Sequence, residues 1–172
     1  MAFLRGMNLG RRRITNEALV AAVESLGFGE VSAYQASGNV LFDSGGRPDL
    51  EATLSEGLTE SLGYDVRAYV RSAAEVASLA EATPFTEDEL RGTRGKVQVT
   101  MLADVPDAAR GTQAEALSTK TDRIRVSGAH WFWLPTGGIS DSPLDFAAVE
   151  RVLGIGTTRT HGTVQRIAKK LG

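Results

Sequence analysis

Four arginines fall within nine residues at the start of the chain, in Arg5-Gly6-Met7-Asn8-Leu9-Gly10-Arg11-Arg12-Arg13, with no carboxylate among them. Arginine presents a planar fork suited to phosphate or carboxylate oxygens. Asparagine tolerates a left-handed turn position and offers both a donor and an acceptor. An apolar run precedes the loop and a helix signal follows it. A strand that delivers glycines and arginines to a helix N-terminus brings free N–H groups and the positive dipole end to one place, a geometry that holds an anion. Arg5, Asn8, Gly10 and Arg11 are the candidate ligand residues here. Arg5, at the strand end, can be fixed by packing, whereas Arg12 lies mid-turn with full freedom. The structural alternative is that Arg5 pairs with a neighbouring carboxylate and Asn8 only shapes the turn.

Two further segments offer polar groups. Ser37 and Asn39 flank Gly38 in a tight hairpin, where they serve either a ligand or the turn itself. From Arg151 to the end there are three Arg and two Lys and no Asp or Glu. Within that tail lie Arg159, His161 and Thr163. His161 can act as a general acid–base or a phosphate donor, or simply begin a helix. The other histidine, His130, alternates with Trp131, Phe132 and Trp133, which puts the two tryptophans on one face of a strand. They can stack on bases, but core packing is the favoured role. Two histidines and no cysteine do not make a metal site. No Walker, dinucleotide-binding, nucleophile-elbow or paired-carboxylate pattern occurs, so no catalytic residue is identified and no cofactor is expected.

The chain has 172 residues, 42% of them hydrophobic, enough for one domain or two small ones with a true core. It contains no cysteine and opens with no signal-peptide pattern. No apolar run is long enough to span a membrane. A cytoplasmic protein with no membrane partner is the expectation. The net charge of −2 makes no global electrostatic case for nucleic acid.

These groups must be positioned by secondary structure. Leu26-Gly27, Leu62-Gly63 and Leu153-Gly154 each read as a last apolar helical residue and a glycine cap. Apolar stripes run through Leu19, Val23 and Leu26 and through Leu50, Leu54, Leu58 and Leu62. Strand-like runs lie at Ala2–Arg5, Val31–Gln35, Asn39–Asp43 and Val66–Val70, which gives β-α-β-β-α-β. A helix around Ala73–Ala82 follows, then a polar connection, Thr83–Gly95. The second half reads as a strand Val97–Leu102, a helix Ala108–Leu117, strands Arg123–Val126 and His130–Leu134, a helix opening at Ser142-Pro143 and ending at Leu153, and a final helix Val164–Leu171. Ser37-Gly38 with Phe42 is echoed by Ser127-Gly128 with Phe132. The expectation is α+β: tandem ferredoxin-like halves, residues 1–71 and 72–172, the second an incomplete repeat that loses its last strand and carries an extra C-terminal helix.

Three segments resemble one bacterial family, the domain of unknown function 1697. Leu4-Arg5-Gly6-Met7-Asn8-Leu9-Gly10 looks like its N-terminal signature. Gln35-Ala36-Ser37-Gly38-Asn39-Val40-Leu41-Phe42 resembles its Q-S-G-N-V-x-F hairpin. Thr157-Thr158-Arg159-Thr160-His161-Gly162-Thr163 stands where the family has T-x-R-N-W-x-T, with Thr160 and His161 in place of Asn and Trp. Arg11 stands where a second glycine is frequent. The resemblance spans the chain and implies a fold; it carries no activity. The functional expectation is that the three segments converge on a phosphate-bearing small molecule or nucleotide. The alternatives are nucleic-acid association through the basic segments, an enzyme acting on a phosphoester or amide, or a dimerisation module using its sheet edges. On the last helix, Val164, Ile167, Ala168 and Leu171 form an apolar stripe that leaves Arg166, Lys169 and Lys170 outward.

Overall fold

The computed structural model describes residues 1–7, 14–35, 38–137 and 142–172. The chain divides into two compact units, Met1–Ala73 and Ala74–Gly172, each with its own four-stranded antiparallel sheet.

In the first unit, β1 (Ala2–Arg5), α1 (Asn16–Ser25), β2 (Gly29–Ala33), β3 (Asn39–Asp43), α2 (Leu50–Leu62) and β4 (Arg67–Val70) form a sheet of order β2-β3-β1-β4. Alternation on the strands sends Ala2, Leu4, Val40 and Ala68 to one face, where Leu19 and Val23 of α1 and Leu54 and Leu58 of α2 cover them. Thr15 caps α1 by accepting the Ala18 N–H at 3.2 Å. Gly63 ends α2 in the left-handed conformation, at φ 72°.

The second unit opens with α3 (Ala73–Glu81, begun one residue before the boundary) and α4 (Glu87–Arg91). Then come β5 (Gln98–Leu102), α5 (Ala108–Glu115), β6 (Asp122–Ser127), β7 (His130–Pro135), α6 (Phe146–Leu153), β8 (Gly156–Thr160) and α7 (His161–Leu171). The sheet order is β6-β7-β5-β8. Leu102, Ile124, Trp131 and Trp133 pack against Ala114, Val149 and Leu153, so both tryptophans belong to the core.

Three expectations need correction. The second half does not lose its last strand: β8 pairs antiparallel with β5, Gln98 against Thr160 through Leu102 against Gly156. The run Thr157-Thr158-Arg159-Thr160, to which the sequence reading assigns no strand, is β-branched enough to close the sheet once Gly154 ends α6 at φ 92°. The connection Thr83–Gly95 contains α4, held by a capping box in which Thr86 accepts the Glu89 N–H and Glu89 accepts the Thr86 N–H. Helix α6 opens at Asp145, whose side chain accepts the Ala148 N–H at 2.9 Å, and not at Ser142-Pro143. Among the described residues, no helix is long and apolar enough to cross a membrane.

Candidate functional site

In the first unit the two leading motif segments meet. The Leu4 N–H donates to the Gly38 carbonyl at 2.7 Å, which joins the end of β1 to the hairpin before β3. Both glycines there are required by geometry. Gly6 (φ 92°) would bring a Cβ to 2.5 Å from the Asp65 carbonyl, and Gly38 (φ 71°) would bring one to 2.7 Å from Met7 and 3.1 Å from Leu4. Asn39 is fully buried; its amide donates to the Tyr34 carbonyl at 3.0 Å, and its own carbonyl accepts the Tyr34 N–H at 2.8 Å. Asn39 thereby closes the hairpin on itself.

Arg5 is exposed, because β1 ends there at the rim of the sheet. Its partner across β4 is Arg67, also exposed. Residues directly opposite in an antiparallel pair point to the same face. The two guanidinium side chains therefore leave the sheet together, on the face away from α1 and α2. Arg67 also lies over the Tyr69 ring, 5.6 Å from its centroid. Arg67 was not a sequence candidate; only the register of β1 with β4 shows it to be Arg5's neighbour. Asn8, Gly10, Arg11 and Ser37 lie outside the described residues.

In the second unit, Arg159, Thr160, His161 and Thr163 mark the passage from β8 into α7. Arg159 is half-buried and donates from Nη1 to the Thr157 hydroxyl at 2.9 Å and the Thr158 carbonyl at 2.8 Å. Burial pushes its guanidinium down to about 10, which leaves it charged at neutral pH. Thr160 caps α7 by accepting the Thr163 N–H at 3.2 Å. The two hydroxyls lie 2.8 Å apart, and Arg166 donates to that of Thr163 at 3.1 Å. His161 Nε2 lies 2.7 Å from the Leu79 carbonyl, which can only accept, so this nitrogen carries the proton. The imidazole stands edge-on to Phe132, with ring centres 5.9 Å apart. Gln165 donates to the Ala80 carbonyl at 3.3 Å, so α7 is seated on the C-terminal turn of α3 by two side chains. The two departures from the family motif have a physical reading here: threonine is a helix cap as asparagine is, and a histidine ring N–H donates as an indole N–H does.

The most heavily hydrogen-bonded carboxylate among the described residues was not a sequence candidate. Asp122 is 1% exposed. Its Oδ1 accepts from Trp133 Nε1 and from the Ser142 hydroxyl, each at 2.7 Å, and its Oδ2 accepts from Thr121 at 2.7 Å and Thr119 at 3.3 Å. Burial pushes its pKa up, but the hydroxyl and indole donors together outweigh it and hold the carboxyl below its ordinary value. A cavity of about 410 Å³ lies beside it, lined by Pro135, Thr136 and Pro143 among others. The four donors occupy the lone pairs of the carboxylate, so Asp122 ties β6, β7 and Ser142 together rather than offering a ligand an acceptor. Trp133, three residues after His130, and Asp122, directly after Thr119-Lys120-Thr121, were visible in sequence, but their meeting depends on the β6–β7 register.

The model of a family described as "Protein of unknown function (DUF1697)" matches residues 1–132. Curated proteins yield no match. Among solved structures, a conserved bacterial protein from Streptococcus pneumoniae aligns over 99% of this chain and 97% of its own, with a TM-score of 0.67 and 18% identity. At that identity the likeness is one of fold.

Proposed function

We propose, for a chain that belongs to the DUF1697 family of proteins of unknown function, the binding of a phosphate-bearing small molecule or nucleotide at a basic site around Arg5. The observation that carries the reading is the cross-strand pair of Arg5 and Arg67 at the rim of the first sheet. Like charges directly opposite one another destabilise a sheet. An anion lodged between two guanidinium groups turns that repulsion into attraction. Arg11, Arg12 and Arg13 follow within a few residues of sequence and add charge of the same sign.

Calorimetric titration with ATP and with inorganic pyrophosphate tests this. Saturable binding is expected, weakened roughly 10–100-fold in Arg5→Ala and in Arg67→Ala, the loss of one charge-assisted contact. It should be unchanged in Lys169→Ala. Absence of binding by either ligand, or equal losses in all three folded variants, defeats the reading.

A second reading, nucleic-acid association, draws support from α7, where Arg166, Lys169 and Lys170 are exposed while Val164 and Ile167 are buried. The chain's acidic balance weighs against it. Our finer view of the fold is that both units are ferredoxin-like and arose by duplication. The shared β-α-β-β-α-β order and the matching strand orders, β2-β3-β1-β4 and β6-β7-β5-β8, support it. A cytoplasmic setting, expected from the lack of cysteine, belongs to the same proposal.

A further inference from the structure

The sheet orders leave β2 and β4 in the first unit and β6 and β8 in the second as edge strands, each with a single neighbour. Alternate N–H groups of such a strand point away from that neighbour and invite another chain to pair. On β4, Arg71 donates inward to the Met1 carbonyl at 2.9 Å, so the even-numbered residues face outward. Each outward N–H from Val66 to Val70 meets a side chain. Val66 donates to Thr59 Oγ1 at 3.0 Å, Ala68 to Ser55 Oγ at 2.9 Å and Val70 to Glu51 Oε1 at 2.7 Å. Strand β6 repeats the arrangement. Asp122 donates to Thr119 Oγ1 at 3.0 Å, Ile124 to Ser118 Oγ at 2.9 Å and Val126 to Glu115 Oε1 at 2.7 Å.

The match on α2 follows from geometry. Glu51, Ser55 and Thr59 are four residues apart, and four helical residues climb about 6 Å. Two strand residues span about 6.6 Å, so a helical stripe of period four keeps step with every second amide of an adjacent strand. On β6 the last residue of α5 and the turn after it do the same work. In both units the order along the strand is threonine, serine, glutamate.

We infer that these two Thr–Ser–Glu sets are strand-edge guards. They stand where a neighbouring strand would hydrogen-bond and close β4 and β6 to pairing with a second copy of this chain. The inference is independent of the anion site, since none of the six side chains belongs to it. It argues against a dimer built by extending either sheet at these edges, one of the roles that sheet edges suggest.

Amide hydrogen exchange on the full chain, with light scattering on a double variant, tests the inference. In the wild type, the amides of Ala68, Val70, Ile124 and Val126 should be protected like the inward-facing Tyr69 and Arg71. In Glu115→Ala/Ser118→Ala, exchange at Ile124 and Val126 should rise by about tenfold or more, the loss of one hydrogen bond each, and the scattering mass should grow with concentration. Ser118→Thr, which keeps a hydroxyl, should behave as wild type. Unprotected edge amides in the wild type overturn the inference. So does a folded double variant whose mass stays that of the wild type at every concentration. Should that variant fail to fold, Glu51→Ala/Ser55→Ala reads the same two quantities on β4, at Ala68 and Val70, with the same outcomes deciding.

Discussion

Asp122 shows how one side chain can organise a unit without touching a ligand. Its carboxylate is buried among neutral donors only, and Trp133 Nε1 has it as a buried acceptor. Replacing it by Asn keeps the shape but removes one acceptor atom, at a cost of roughly 1–3 kcal/mol at neutral pH. The pH dependence has a definite sign. The folded carboxyl titrates below its ordinary value, so its stabilisation is complete above the unfolded pKa, about 3.9, and is lost as pH falls through the folded one. The wild type should therefore exceed Asp122→Asn in denaturant melts at pH 7, with the gap shrinking below about pH 4. A gap that stays constant down to pH 3 would show that the charged form is not what the four donors stabilise. Gly38 makes a different residue-scale point. Its place in a motif follows from a positive φ and from the closeness of Leu4 and Met7, before any ligand is considered.

Among the elements, α7 depends on its first turn. Thr160 caps it, and His161 and Gln165 tie it to the carbonyls that end α3. An unpaired helix-end carbonyl is costly when water cannot reach it. His161→Ala should lower stability by about 1–2 kcal/mol in chemical denaturation. His161→Trp should lose clearly less, because an indole N–H can still donate to Leu79. Equal losses in the two variants would mean that the ring donor is not what seats the helix. Strand β8 shares this dependence on its surroundings. It has few apolar residues, and its outward Thr158 is held by Thr100 at 2.7 Å across the ladder, so its stability comes from β5 more than from its own pattern.

For the whole molecule the governing quantity is charge distribution. The chain carries −2 overall, with acid-free basic stretches at both ends. A short nucleotide meets a few guanidinium groups, whereas a long polyanion must also approach the acidic remainder. ATP affinity should therefore fall by less than about tenfold between 50 and 200 mM salt, while a nucleic acid contacting several cations would lose about a thousandfold or more. A loss of the larger size, measured by titration at the two salt concentrations, would move the balance to the nucleic-acid reading. Read without a structure, the chain revealed its helix stripes, its Leu-Gly caps, the hairpins and an element order that recurs in the second half up to its last strand, which the reading missed. These are local matters of period, turn chemistry and capping, written within a few residues of one another. The pairing of Arg5 with Arg67, the donors gathered on Asp122, the seat of His161 on Leu79 and the side chains guarding β4 and β6 were decided by tertiary structure alone. Each joins residues whose meeting depends on strand register or on how a helix lies against a sheet edge. A one-residue slip in register would exchange every partner, and no local pattern records that choice.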